Sequence, residues 1–132
     1  MAADGIVTVP SKFGARETMD RLESQIKARG MTVFARIDHA AGAAQVNLSL
    51  RPTEVIIFGN AKAGTPLIEA DQLIGLDLPL RMLVWEDASG KTWLSYNEPS
   101  GLTKRHGLGG NSETVASAMA ASLSALTKAA TD

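Results

Sequence analysis

The chain has no cysteine. Disulfides, thiolate nucleophiles and cysteine-bound metals are therefore excluded, while the compartment stays open, since many exported proteins also lack cysteine. There is no surplus of basic charge either: thirteen Lys and Arg stand against fourteen Asp and Glu, a net charge of −1. Without a basic field nothing gathers phosphates, and nucleic acid is not an expected partner. No apolar run approaches the roughly 20 residues of a membrane-crossing helix, so no membrane partner is expected. Internal repeats and low-complexity tracts are missing as well. What is there is 132 residues, the size of a single domain spanning residues 1–132, which can bury roughly two thirds of its unfolded surface.

The strongest signals fall within residues 53–99, which hold both Trp, the only Tyr, a Gly-rich loop and a hairpin pattern. Before them, the β-rich residues 6–9 end at Pro10, as a strand at a sheet margin does. Ala15, Met19, Leu22 and Ile26 then recur at helical spacing, which predicts an amphipathic helix over residues 13–29, with Ser11 placed to cap it and Gly30 to stop it. Residues 31–37 alternate as a strand, with Met31, Val33, Ala35 and Ile37 on one face and Thr32, Phe34 and Arg36 on the other. Asp38 offers an N-cap for a short Ala-rich helix over 39–46, weakened by Gly42.

Residues 54–58 (EVIIF), apolar without a break after Glu54 and set between Pro52 and Gly59, have the pattern of a strand covered on both faces. A loop is expected over 59–64. Thr65 and Pro66 then read as N-cap and first position of a helix that buries Leu67, Ala70 and Ile74 and ends at Gly75. Strands at 80–86 and 91–96 flank a four-residue loop, 87–90. Setting Glu86 opposite Lys91 pairs Val84 with Trp93, Leu83 with Leu94 and Arg81 with Tyr96. Both faces of that hairpin are apolar, so the face away from the long helices needs a cover: the short helices, a ligand or a second copy of the chain. A short helix over 99–105 closed by Gly107, a flexible break over 107–110, and a last helix capped by Ser112 with the stripe Val115, Met119, Leu123 and Leu126 complete the chain. The pieces predict an α+β domain with a mostly antiparallel sheet of about five strands.

The runs LRPTEVIIFGNAKAGTPL, LDLPLRMLVWED, WLSYNEP and KRHGL, with TVPS and ARIDHA before them, resemble the bacterial domain-of-unknown-function 302 family over about residues 6–108. The resemblance implies a β-α-β4-α order like that of the TATA-binding-protein fold group, with a curved antiparallel sheet, short helical insertions and a C-terminal helix over 111–130. It implies no reaction. Exported members begin their mature part much as Ala2-Ala3-Asp4-Gly5 does, and signal peptidase leaves such small residues, so the periplasm is the expected compartment and the cytoplasm the alternative. Where the family pattern puts proline after the asparagine, this chain has Asn60-Ala61-Lys62, which implies a looser loop; residues beyond Gly107 are less characteristic of the family.

Candidate chemistry is sparse. The run FGNAKAGTP before a helix, with Asn60 and Lys62, can contact an anion, although Gly-Lys-Ser/Thr is missing and a tight turn explains the glycines equally. His39 and His106 can each act as base, metal ligand or haem ligand. The simpler reading puts His39 in the Asp38 capping arrangement and His106 at a helix C-terminus. Arg81, Tyr96 and Asn97 form a polar cluster able to orient a small ligand, or an Arg–Tyr stack at a sheet edge. Trp85 and Trp93 read as core or dimer anchors. No nucleophile–base pair and no metal-ligand spacing is recognisable, so the expected function is a non-catalytic homodimeric module for interaction or small-ligand binding, without a cofactor. The alternative is a small enzyme, or a haem or metal protein, using His39 and His106 around a pocket with Arg81 and Tyr96.

Overall fold

A computed structural model describes residues 5–132; the Ala2-Ala3-Asp4 signal lies outside the described residues. In order, the elements are β1 (Ile6–Pro10), α1 (Ala15–Ala28), β2 (Thr32–Asp38), α2 (His39–Gln45), β3 (Thr53–Gly59), α3 (Ala61–Ala70), a 3₁₀ turn (Gln72–Leu76), β4 (Leu80–Glu86), β5 (Thr92–Asn97), α4 (Pro99–Arg105) and α5 (Asn111–Thr131). The strands form one antiparallel sheet in the order β1-β5-β4-β3-β2. This is the α+β, β-α-β4-α architecture with short helical insertions. Among the described residues no helix is long and apolar enough to cross a membrane.

Helix α1 buries Met19, Leu22 and Ile26 completely, with Thr18 beside them. Its N-cap is Gly14 rather than Ser11. The Ser11 hydroxyl instead accepts the Phe13 N–H and bonds the Thr18 hydroxyl at 2.7 Å, which tightens the approach to the helix. At the other end Gly30 takes φ +77°, its N–H reaches the Lys27 carbonyl and the Met31 N–H reaches that of Ile26, the paired closure that a left-handed residue permits. Helices α1 and α5 then cover one face of the sheet. Met19, Leu22 and Ile26 from α1 and Leu123, Leu126 and Ala130 from α5 meet Ile56, Phe58, Met82, Val84, Leu94 and Tyr96. Helix α5 begins after Gly110, and Ser112, expected as its cap, lies buried within it.

Two strands depart from the expected alternation. In β2, Val33 pairs with Phe58 and Ala35 with Ile57, so Phe34 is an extra, bulged residue. The bulge turns Arg36 to the helix-covered side, where it pairs with Glu54, Glu23 and Asp20, and leaves Phe34 60% exposed. In the hairpin, Glu86 pairs with Thr92, Trp85 with Trp93, Val84 with Leu94 and Met82 with Tyr96. The connection thus holds five residues, 87–91, one more than expected. The Asp87 carboxylate explains the addition: it accepts the N–H groups of Ser89 and Lys91 and the Ser89 hydroxyl, while the Asp87 N–H reaches the Lys91 carbonyl. One added residue turns every β5 side chain to the other face. Tyr96 therefore goes into the core and Trp93 to the open side.

The third correction is α3. Residues expected as a loop are helical from Ala61, because Asn60 caps the start with its side-chain oxygen on the Lys62 N–H at 2.9 Å. Pro66 sits inside the helix, not at its first position. The helix ends at Ala70, which is exposed, and Asp71 caps the 3₁₀ turn that buries Ile74.

Candidate functional site

Two surfaces carry the apolar groups that the core leaves out. The first is the face of the sheet away from α1 and α5. Ladder register puts Thr8, Trp93, Ser95, Leu83, Trp85, Val55 and Ile57 there, and none of them is fully buried. Trp85 and Trp93 stack with ring centroids 6.1 Å apart and planes 24° from parallel. Their indole N–H groups are held by the Ser95 hydroxyl at 3.0 Å and the Asp87 carboxylate at 2.8 Å, and the Lys91 ammonium lies 4.6 Å from the Trp93 ring centre. The Trp93 N–H, followed by the Ser89 hydroxyl, holds the Asp87 carboxyl well below its ordinary value of 3.8. Near the β2 edge Phe34 and Ile37 are exposed, as are Val46, Leu48 and Leu50 beyond α2.

The second surface is a cleft of about 320 Å³ at the end of the sheet, between α3 and α5. Met31 and Phe34 of the β2 end, Gly59, the cis Leu78–Pro79 peptide, Gly64 and Ile68 of α3, and Met119 of α5 line it. Beneath it a small core joins Leu67, Ile74, Leu78 and Met119. Glycine inside a helix costs about 1 kcal/mol relative to alanine. At Gly64 that position is open space, since a Cβ there would touch nothing within 4 Å.

The residues singled out in the sequence are dispersed over the fold. Asn60 lines the cleft and Lys62 stands two residues on, in the first turn of α3, but one N–H at that helix start is already taken by Asn60 itself. Arg81 and Tyr96 point to opposite faces: Arg81 pairs with Ile57 on the open side, whereas Tyr96 is only 8% exposed and packs in the core. Burial, and then the charge of Glu98, push the Tyr96 phenol up, with the Thr127 hydroxyl opposing them. Continued by one step, the hairpin register sets Arg81 against Asn97 at the rim of the open face. The expected Arg81–Tyr96 pair rested on the four-residue loop and falls with it.

His39 opens α2, exposed, behind the Asp38 cap on the Ala41 N–H. His106 closes α4 and binds Asp77 at 2.6 Å, with Arg105 on the same carboxylate at 3.0 Å and Asp71 3.9 Å from the other ring nitrogen. The two histidines share no partner. His106 instead ties α4 to the segment around the 3₁₀ turn. The cleft itself was not legible beforehand.

Comparison with known proteins agrees with the architecture. The family described as "Domain of unknown function DUF302" matches residues 7–126, which includes most of α5. A crystal structure of an uncharacterized conserved protein DUF302 from Bacillus stearothermophilus superposes with a TM-score of 0.85 at 21% identity, covering 97% of this chain and 99% of that one. Proteins named fluoride-specific ion channel FluC 1 from Brucella suis biovar 1 (strain 1330) and FluC 2 from Brucella melitensis biotype 1 are each 48% identical over 124 residues, 94% of this chain. The match takes up 49% and 46% of their own lengths, so the chain spans about half of these curated relatives.

Proposed function

The chain belongs to the DUF302 family, and on that footing we propose that it is a non-catalytic interaction module that works as a homodimer, two copies meeting through their open sheet faces. The observation that carries this reading is the stacked Trp85/Trp93 pair set among Val55, Ile57 and Leu83 on the face that α1 and α5 leave uncovered. Five strands of about six residues present a footprint of roughly 24 by 20 Å. That is about 480 Å² in projection, which suits a small interface rather than the ~800 Å² each partner buries in a standard one. The pair lies at the hairpin-turn end of that face; aromatic residues are natural interface anchors, and a two-fold axis lets one patch serve both copies. Arg81 and Asn97 then belong to the polar rim.

Sedimentation equilibrium tests the proposal. The wild-type chain is expected at twice its 13.9 kDa mass, and Leu83→Lys, at a half-buried position on the open face, at the single mass with an unchanged far-UV spectrum. A wild-type chain that stays at the single mass at high concentration sinks the homodimer.

The Brucella relatives favour a second reading of the same face. Their names describe fluoride-specific ion channels, and a path for ions across a bilayer requires membrane-spanning structure. This chain, which spans about half their length, has no helix able to cross among its described residues. In this reading the module docks on a channel protein, and its open face meets that partner instead of a second copy. Co-purification of the tagged chain with a channel from detergent-solubilised host membranes, abolished by Leu83→Lys, distinguishes this reading from the homodimer.

A further inference from the structure

We propose that the cleft between α3 and α5 is a binding site for a small, neutral, largely apolar molecule, such as a medium-length alkyl chain ending in a hydroxyl. Its volume of about 320 Å³ lies at the lower end of the range of small-molecule sites, and is far too small for a partner helix. The lining settles the charge of the ligand. It contains no Lys, Arg, His, Asp or Glu, so an ion entering would lose water and gain no counter-charge. Met31, Phe34, Ile68, Leu80 and Met119 supply apolar contact, and the two methionines and the bulged, exposed Phe34 are side chains that adapt to a guest.

Two hydroxyls, with the Asn60 amide, supply the polar part of the lining. Thr127 and Thr131 of α5 place their hydroxyls on carbonyls one turn back, at 2.7 and 2.8 Å. Thr65, exposed on α3, and Ser122, half-buried on α5, present theirs among the residues that line the cleft. A hydroxyl both donates and accepts, so either can bond a ligand hydroxyl, or donate to a ligand carbonyl. Gly64 is the second piece of construction. Helix α3 carries a residue poorly suited to a helix where it walls the cleft, and a Cβ at that position would touch nothing within 4 Å. The opening is what the glycine provides.

The experiment uses the full chain and two neutral probes: N-phenyl-1-naphthylamine, read by its fluorescence, and 1-decanol as competitor. Wild-type protein is expected to bind one naphthylamine per chain, and decanol is expected to displace it at least tenfold more effectively than decanoate, which differs in carrying a charge. Gly64→Leu and, independently, Ala118→Phe at an exposed position of the α5 wall are expected to weaken binding at least tenfold while helical content is retained. Leu83→Lys is the control that separates this site from the open sheet face, and it is expected to bind the probe as wild type does. Three results overturn the proposal: no binding by the wild type, as when a second copy already fills the cleft; equal binding by the wild type and both cleft variants; or a loss of binding confined to Leu83→Lys.

Discussion

At the scale of single residues, the buried polar groups divide the fold into parts that respond differently to pH. Tyr96 sits among core side chains with a phenol pushed above its ordinary value of 10.0 by burial and by Glu98. An acid whose folded value is raised binds its proton more tightly in the native state, so its contribution is complete below the unfolded value and is lost as pH climbs through the folded one. Tyr96→Phe keeps the ring and removes the ionisation. Denaturant melts between pH 9 and 11.5 are expected to show wild-type stability falling above about pH 10, with a shallower fall in the variant. Equal slopes would place the alkaline loss elsewhere. Arg36 is the counterpart on the edge strand: its fork holds both oxygens of Glu54, at 2.6 and 3.0 Å, while its remaining nitrogen reaches Glu23 at 2.9 Å and Asp20 at 2.8 Å. Lys27 first, and then Arg36, hold the Glu23 carboxyl below its ordinary range. These contacts fasten α1 to β2 and keep a charge on the outermost strand, which also discourages pairing with a foreign edge.

At the scale of elements, the β4–β5 hairpin decides which aromatic faces outward, and Asp87 decides the hairpin. Its carboxylate gathers four donors from the turn and from Trp93. Asp87→Ala is expected to make amide exchange in residues 82–96 roughly several-fold faster than in β3, because the turn loses its internal acceptors. The depressed carboxyl gives the same element an acid limit. Its stabilising effect is complete above 3.8, its ordinary value, and is lost as pH falls below that through the lower folded value. The wild-type hairpin should therefore loosen in acid, and the variant's exchange should lack that step; identical acid profiles would clear Asp87 of the role. Helix α3 makes the opposite point about propensity. Gly64 and Pro66 disfavour it, yet the Asn60 cap and the burial of Leu67 hold it together.

For the whole molecule, the arrangement is lopsided: two long helices seal one face of the sheet, while the stacked tryptophans lie on the other. If that second face is closed by another copy, folding and association are coupled, and the melting temperature depends on concentration. For two chains of this length a tenfold rise in concentration should raise it by about 2–3 °C. Calorimetry at two concentrations measures this, and Leu83→Lys is expected to remove the dependence. A wild-type melting temperature that does not move would mean that the open face is self-sufficient.

Local sequence determined much of this protein. The spacing of Met19, Leu22 and Ile26, the stop at Gly30, the Asp38 cap and the stripe Met119, Leu123, Leu126 were enough to place α1, α2 and α5, because helix periodicity and caps act within a few residues. The strands and their antiparallel order were legible for the same reason, and the resemblance of residues 6–108 to one family agreed with them. Tertiary structure decided the rest, since it depends on counts of one. A single residue more in the turn after Glu86 moved Tyr96 inward and Trp93 outward, and a single bulged Phe34 turned Arg36 toward α1. The added turn residue separated Arg81 from Tyr96, while His39 opens α2 and His106 closes α4 on Asp77. The cleft could not be read from the chain at all, because its walls come from four separate segments that meet only once the sheet and α5 are packed.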